Sequence, residues 1–188
     1  MGRWQPDAQG RLRQAALDLY GERGFDATTV ADIAERAGLT KRTFFRYFAD
    51  KREVLFAGSE ELEARFVEAV SAAPESAGAL DAVAAGLDAV AAFFDGRPDY
   101  AARRQQIIAS HPELQERERN KLASLALAVA EALRRRGVGD PGAILAAESG
   151  VTVFRVAFER WVDPENDRDL RTLMHESLRE LRAVAQPR

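Results

Sequence analysis

Hydrophobic residues recur at helical spacing through most of the chain, and residues 28–51 contain two short helical patterns separated by a tight turn. The first pattern places Val30, Ile33, Ala34 and Ala37 on one face, at the spacing i, i+3, i+4 and i+7. After the turn, phenylalanines 44 and 48 form a second apolar face. Helices this short are not stable alone, so both faces need to pack against each other and against a third helix.

The second short pattern carries basic and aromatic side chains on the side opposite its apolar face. We expect Lys41, Arg42, Phe45 and Arg46 to point outward. This arrangement is typical of a helix-turn-helix protein, whose second helix enters the major groove of DNA. Arg42 and Arg46 are candidates for bidentate contact with guanine, and Phe45 is a candidate for apolar contact with a thymine methyl or a sugar.

The remaining pattern predicts an all-α chain of about nine helices. Helix 1 begins near Pro6 or Asp7 and ends at Gly24, and the two short helices have Thr29 and Thr40 as N-caps. Proline and glycine clusters separate the later helices. These are predicted over 51–72, from the break after residue 72 to 94, over 100–109, from Ser110 to 136, over 140–162 and over 167–185.

The last two predicted helices differ in how many sides are apolar. The helix over 140–162 has two apolar sides, one with Ile144, Val151, Phe154, Phe158 and Trp161, the other with Leu145, Val153, Val156 and Val162. Such a helix needs two partners. The last helix has a single apolar face, which either seals the preceding helix against the core or pairs across a subunit boundary; the pattern favours neither.

The composition is that of a globular protein. The chain has 188 residues, of which 46% are hydrophobic and 30% charged. No apolar run approaches the roughly 18 residues that cross a bilayer, and residues 1–6 lack the apolar core of a signal peptide. We therefore expect a cytoplasmic protein with no membrane partner. The absence of cysteine excludes disulfides, thiolate metal sites and cysteine nucleophiles.

The net charge of −3 is unevenly distributed along the chain. Residues 1–56 carry ten Lys and Arg against eight Asp and Glu, whereas the remainder carries seventeen against twenty-two. Within residues 41–52, five cationic side chains face Asp50 alone. Salt screens charges beyond about 8 to 10 Å, so a local basic cluster is what a phosphate backbone senses.

Two other classes of protein compete with a DNA-binding regulator. An enzyme is disfavoured because the chain has no glycine-rich phosphate loop and no cysteine, and its two histidines lie 64 positions apart. We predict no catalytic residue, no metal site and no cofactor. The second alternative is a DNA-binding protein that recruits a partner or organises the chromosome without a small effector.

The segment from Arg11 to Leu55 resembles the N-terminal domain of TetR-family transcriptional repressors. The resemblance rests on GF at 24–25, TTV at 28–30, IA at 33–34, AGLT at 37–40, TFFRYF at 43–48, and then Lys51 and Leu55. The chain departs from the family pattern at two positions. Arg42 stands where a small residue is usual, and Phe45 stands where a tyrosine is usual, so one phosphate-binding hydroxyl is missing and one charge is gained.

The resemblance implies a DNA-binding domain over 1–55 and a helical effector-binding and dimerisation domain over 56–188. It implies that Thr43 and Tyr47 hydrogen-bond phosphates or base edges, that Thr29 and Thr40 present helix N-termini to the DNA backbone, and that Lys51 clamps a phosphate. It also implies a homodimer through the last two helices on a double-stranded palindromic operator. A repressor released by a small hydrophobic effector is the first interpretation, and an activator is the alternative.

Aromatic and apolar residues of the central helices supply a candidate effector site, with a composition that suits a hydrophobic or acyl-like compound. For each of these residues taken singly, ordinary core packing is the stronger interpretation. For His111 before Pro112, a helix start is the stronger interpretation. The segment SHPELQERE is also similar to actinobacterial TetR-family members grouped as binders of acyl-CoA-like ligands. The candidate residues are Phe66, Phe93, Phe94, Tyr100, Arg104, Ile108, His111, Phe154, Phe158 and Trp161.

Overall fold

The structure is a computed structural model that describes residues 7–185, and over this range it contains nine α-helices, one 3-10 turn and no strand. The predicted all-α class and the helix number are confirmed. Pro6 and the rest of residues 1–6, on which the signal-peptide expectation rests, lie outside the described residues. The helices are α1 (Ala8–Arg23), α2 (Val30–Arg36), α3 (Lys41–Tyr47), α4 (Ser59–Ala72), α5 (Ala79–Phe94), α6 (Pro98–Ala109), α7 (Pro112–Arg135), α8 (Gly142–Trp161) and α9 (Leu170–Ala185).

The chain divides into two compact units. The first unit consists of the residues up to Gly58 together with Arg103–Gln115, and the second consists of Ser59–Ala102 and the residues from Glu116 onward. The sequence prediction placed the boundary after residue 55 and assigned residues 103–115 to the second domain. In the structure, the end of α6 and the beginning of α7 pack within the first unit.

Helix α1 begins and ends through specific backbone contacts. The Asp7 carboxylate accepts a hydrogen bond from the Gly10 N–H at 2.8 Å, which satisfies a donor that the first turn leaves unpaired. At the other end Gly24 has a φ of 84° and its N–H donates to the Tyr20 carbonyl. A left-handed φ favours glycine, so this residue ends the helix as the sequence predicted.

The predicted start of the fourth helix at Lys51 is wrong. The Asp50 carboxylate accepts hydrogen bonds from the backbone N–H groups of Arg52 and Glu53, at 2.8 and 3.1 Å, but the turn that it caps is only the 3-10 turn Glu53–Phe56. Residues 54, 55 and 56 are all buried, and three consecutive side chains cannot share one face of an α-helix. Gly58, at φ 94°, then reverses the chain before α4.

The predicted start of the seventh helix at Ser110 is also wrong. The Ser110 hydroxyl donates to the carbonyls of Gln106 and Ile107, at 3.0 and 2.9 Å, and so satisfies the end of α6. Helix α7 begins at Pro112, whose missing N–H costs nothing in a first turn.

The core of the second unit is built from α4, α5, α7, α8 and α9. Its α9 members show that this helix packs against the core of its own chain. The fully or nearly fully buried α9 side chains are Leu170, Leu173, Met174 and Leu178, whereas Val184 is 79% exposed.

Among residues 7–185, every helix is too short or too polar to cross a lipid bilayer.

Helices α4 and α5 approach closely at Gly86. A Cβ atom there would lie 2.1 Å from the Phe66 ring and 3.0 Å from a Val70 methyl, and both of these side chains are completely buried. We expect Gly86→Ala to lower the free energy of unfolding by about 1 to 3 kcal/mol, because the clash outweighs the roughly 1 kcal/mol gained in helix propensity.

Gly21 of α1 is the matched control, since a Cβ there would meet open space. Gly21→Ala should raise the stability by about 0.5 to 1 kcal/mol. Urea unfolding followed by circular dichroism checks both variants. Equal stability changes in the two variants would contradict the close approach of α4 and α5.

Candidate nucleic-acid interface

A capping box fixes the start of α2. The backbone N–H of Asp32 donates to the Thr29 hydroxyl at 3.2 Å, and the backbone N–H of Thr29 donates to the Asp32 carboxylate at 2.8 Å. The hydrogen bonds from Thr29 hold the pKa of Asp32 below its usual value. The box therefore stays formed at neutral pH, and the predicted N-cap role of Thr29 is present in the structure.

A tight turn and a second cap set the direction of α3. Gly38 has a φ of 64°, and the N–H of the following Leu39 donates back to the Ala34 carbonyl at 2.8 Å. The guanidinium of Arg11 donates to the Ala37 carbonyl and fastens the same turn to α1. Thr40 caps α3, because its hydroxyl accepts a hydrogen bond from the Thr43 N–H at 3.1 Å.

Two phenylalanines anchor α3 to the first unit. Phe44 is completely buried and Phe48 is 5% exposed, with their ring centroids 5.5 Å apart. A helix of seven residues forms mainly through such packing rather than through its own hydrogen bonds. Burial of these two rings therefore decides which side of α3 faces solvent.

The opposite side of α3 is exposed and cationic, as predicted. Lys41, Arg42 and Arg46 are exposed, and Phe45 between them is 57% exposed. The face offers cationic donors for phosphates and base edges and one apolar surface for a methyl or sugar.

Tyr47 orders one of these arginines. The Arg46 guanidinium donates to the Tyr47 hydroxyl at 3.1 Å and lies 4.9 Å from the centroid of that ring. The pair limits the rotamers of both side chains, which lowers the entropy lost when either of them binds. Thr43 is half-buried, and its hydroxyl lies 3.0 Å from that of Thr40.

Lys51 has a role in the fold that sequence analysis missed. Its ammonium donates to the carbonyls of Phe25, Asp26 and Thr28, at 2.7, 3.2 and 3.0 Å, and lies 4.4 Å from the centroid of the Phe25 ring. These contacts occupy all three ammonium protons. Tyr20 fixes the backbone of the same residue by donating to the Lys51 carbonyl at 2.6 Å, and burial raises the pKa of that phenol.

Three residues predicted to line the effector site belong to the first unit. Arg104 donates to the Leu55 carbonyl at 2.6 Å, Ile108 is completely buried, and the His111 ring meets the Phe25 ring edge-on at 5.2 Å. Their contacts join the ends of α6 and α7 to the end of α1 and to the turn before α4. No periodic signal in the sequence indicates this pairing.

The other predicted effector residues lie in the second unit. Phe66 is buried in its core, and Tyr100 is half-buried. The remaining five rings form one aromatic cluster in which neighbouring centroids lie 5.1 to 6.0 Å apart: Phe93, Phe94, Phe154, Phe158 and Trp161.

Two arginines that the sequence analysis missed lie beside this aromatic cluster. The guanidinium groups of Arg65 and Arg97 each lie 5.8 Å from the Phe93 ring centroid, and Arg65 also pairs with Glu61 at 2.7 Å. Phe93, Phe94 and Trp161 are half-buried, so one side of the cluster is accessible. The combination of an accessible aromatic surface and nearby cations suits an amphipathic anion.

Comparison with known proteins gives two family matches. Residues 12–57 match the family model of bacterial regulatory proteins, tetR family, and residues 77–186 match the MftR C-terminal domain. The chain is 25% identical over 169 residues to the transcriptional regulator MftR of Mycobacterium tuberculosis, which covers 88% of this chain and 85% of that protein. The relatives matched in this way are transcriptional regulators and not enzymes.

Two solved structures have a similar fold. FadR of Thermus thermophilus, in complex with lauroyl-CoA, has a TM-score of 0.57 and 24% identity over 96% of each chain. FadR of Bacillus subtilis, in complex with stearoyl-CoA, has a TM-score of 0.63 and 21% identity, covering 92% of this chain and 96% of that one. At these identities the likeness shows the fold.

The contacts of Lys51 lead to a prediction about stability. We expect Lys51→Ala to lower the free energy of unfolding by about 1 to 3 kcal/mol, because three carbonyls lose their donor. Lys41→Ala removes the same charge from an exposed position and should change stability by less than about 0.5 kcal/mol. Thermal unfolding compares the two. Two equally stable variants would show that the three carbonyl contacts do not hold the fold.

Proposed function

The chain belongs to the TetR family of bacterial regulatory proteins, and on that premise we propose that it is a repressor that binds a palindromic operator as a homodimer and leaves it when a hydrophobic effector binds. Its identity as a DNA-binding transcriptional regulator follows from the family. The observation that carries the proposal is the exposed cationic face of α3 opposite the completely buried Phe44.

The proposed DNA contacts divide into two groups. Arg42 and Arg46 read guanine edges, and Phe45 contacts a thymine methyl or a sugar. Lys41 and four side-chain hydroxyls contact phosphates. Contacts of this kind position the protein on DNA without specifying a sequence. That second group consists of Lys41, Thr29, Thr40, Thr43 and Tyr47. Lys51 is left out of it, because its ammonium is already occupied within the first unit.

A dimer is the proposed binding unit because one short helix touches too few base pairs to distinguish an operator from competing sites in a genome. Two copies related by a two-fold axis read two half-sites, and the operator symmetry then follows the protein symmetry. The proposed interface uses α8 and α9.

The proposed effector is an acyl compound with an anionic head group. Support comes from the accessible aromatic cluster of α5 and α8 with Arg65 and Arg97 beside it. Two FadR proteins of the same fold were solved with acyl-CoA molecules. Binding releases the operator only if the effector favours one of two arrangements of the protein.

Replacing Arg42 tests the reading of bases. We expect Arg42→Ala to weaken binding to the selected operator by about 1 to 3 kcal/mol and to relax preference at one base position, with a smaller loss on random DNA. Arg135→Ala, at an exposed position of α7, is the matched control and should leave operator affinity unchanged. Fluorescence anisotropy on both duplexes measures the difference. Equal losses on operator and random DNA would refute the base-reading role.

Titration with acyl-CoA tests the proposed effector. Lauroyl-CoA or stearoyl-CoA should lower operator affinity by about 5- to 150-fold, the usual range of coupling between two sites. Coenzyme A without an acyl chain should have little effect, because it leaves the aromatic cluster uncovered. Acyl-CoA that binds tightly without changing operator affinity would contradict release by this class of effector.

A DNA footprint next to a promoter, combined with a transcription assay, separates repression from activation.

A further inference from the structure

A phenyl ring lies beside the cations on the exposed face of α3. Phe45 is 57% exposed, and Arg42 lies three residues before it on the same helix. Side chains at i and i+3 of a helix are neighbours, with Cβ atoms about 5 to 6 Å apart. The ring and the Arg42 guanidinium therefore reach adjacent places on a surface that α3 approaches.

The core of the first unit limits the orientation of this ring. The ring centroids of Phe44 and Phe45 lie 5.5 Å apart with an angle of 83° between the two planes, and Phe44 is completely buried. Edge-to-face pairs of aromatic rings are favourable contacts. Because packing fixes the Phe44 ring, Phe45 has few orientations to give up when it binds, and the entropy lost on binding is small.

The chemistry of the ring suits one kind of group on a base. A phenyl ring has no charge and no hydrogen-bond donor, so it makes no hydrogen bond to phosphate oxygens or to the polar atoms of base edges. An α-helix enters the major groove of DNA, where the C5 methyl of thymine is the apolar group that base edges present. A C5 methyl is therefore the base feature that Phe45 is equipped to recognise.

The position of the ring favours a base methyl over a sugar. Sugars belong to the backbone at the edges of the groove, whereas Arg42, the neighbour of the ring, is the proposed reader of a guanine edge. Successive base pairs lie about 3.4 Å apart along the duplex. Two side chains with Cβ atoms about 5 to 6 Å apart can therefore reach adjoining base pairs.

We propose that Phe45 recognises the C5 methyl group of a pyrimidine next to the guanine that Arg42 reads. Thymine has this methyl group, and so does a cytosine that has been methylated at C5. The protein therefore distinguishes methylated from unmethylated cytosine at this position, and cytosine methylation regulates its binding. This inference rests on the DNA contacts of the proposed function and adds to them the methyl group and its two sources.

Two pairs of bases isolate the contribution of the methyl group. Thymine differs from uracil by the C5 methyl alone, and 5-methylcytosine differs from cytosine in the same way. Each pair keeps its Watson–Crick partner, so the guanine next to it is unchanged. Burial of one methyl group corresponds to about a fourfold gain in affinity. Because contacts in separate half-sites are roughly additive, the change in both halves of a palindrome should be about tenfold or more.

Replacement of thymine by deoxyuridine locates the contact. In a duplex selected from random DNA, each thymine is replaced in turn in both half-sites, and the affinity of the full chain is measured by fluorescence anisotropy. One thymine of each half-site should cost about tenfold or more for the pair of replacements. It should adjoin the base position at which Arg42→Ala relaxes preference. A methyl-sensitive thymine elsewhere, or none in the duplex, would overturn the inference.

Cytosine and 5-methylcytosine at the same position, each opposite guanine, provide the second comparison. The methylated duplex should be bound about tenfold or more tightly than the unmethylated one. Equal affinity for these two duplexes would overturn recognition of methylated cytosine, even if thymine and uracil differ. Both comparisons use the original protein, so they do not depend on the folding of a variant.

Phe45→Ala assigns the methyl contact to this ring. Both affinity ratios, thymine over uracil and methylated over unmethylated cytosine, should fall to about one. Lys41→Ala, at the neighbouring exposed cation, is the matched control: it should weaken binding to all four duplexes alike and leave both ratios unchanged. Circular dichroism checks that both variants are folded. Ratios that survive in Phe45→Ala would assign the methyl contact to another side chain and overturn the inference.

Failure of the proposed function gives a different result. An original protein that binds no selected duplex more tightly than random DNA would overturn both the proposed function and this inference. Specific binding that is lost in Phe45→Ala, but with no methyl dependence in the original protein, would indicate a sugar contact. That result would overturn the methyl reading alone.

Discussion

The burial of Phe44 and Phe48 is the constraint on which the proposed DNA-binding face depends. Helix α3 has seven residues, too few to be stable through its own hydrogen bonds, so packing determines whether it forms and how it is oriented. Once these rings face inward, the helical repeat places Lys41, Arg42 and Arg46 outward. The sequence thus fixes both the position and the chemistry of this surface through one packing contact.

Around that contact, the first unit is held by interactions between distant parts of the chain. Lys51 binds three carbonyls at the end of α1, and Arg104 and His111 bring the ends of α6 and α7 to the same region. Helices α6 and α7 contribute residues to both units.

The elements that local sequence rules describe were predicted well. The caps at Thr29 and Thr40, the glycine that ends α1 and the apolar faces of α2 and α3 follow from short-range periodicity and hydrogen bonding. The predicted start of α4 at Lys51 was wrong, because the burial of three consecutive residues outweighed the helix-capping hydrogen bonds that Asp50 accepts. The carbonyl contacts of Lys51 and the packing of residues 103–115 were missed, because backbone acceptors and long-range pairing leave no periodic trace in a sequence.

The proposed DNA-binding surface and its proposed two-fold arrangement are tested most directly by methylation interference on a duplex selected from random DNA. Guanine N7 lies in the major groove, where the arginines of α3 are placed by this account. The account predicts that methylation at N7 excludes fragments from the bound fraction at two symmetric clusters, one in each half of a palindrome. Bound fragments that tolerate N7 methylation at every guanine would contradict it.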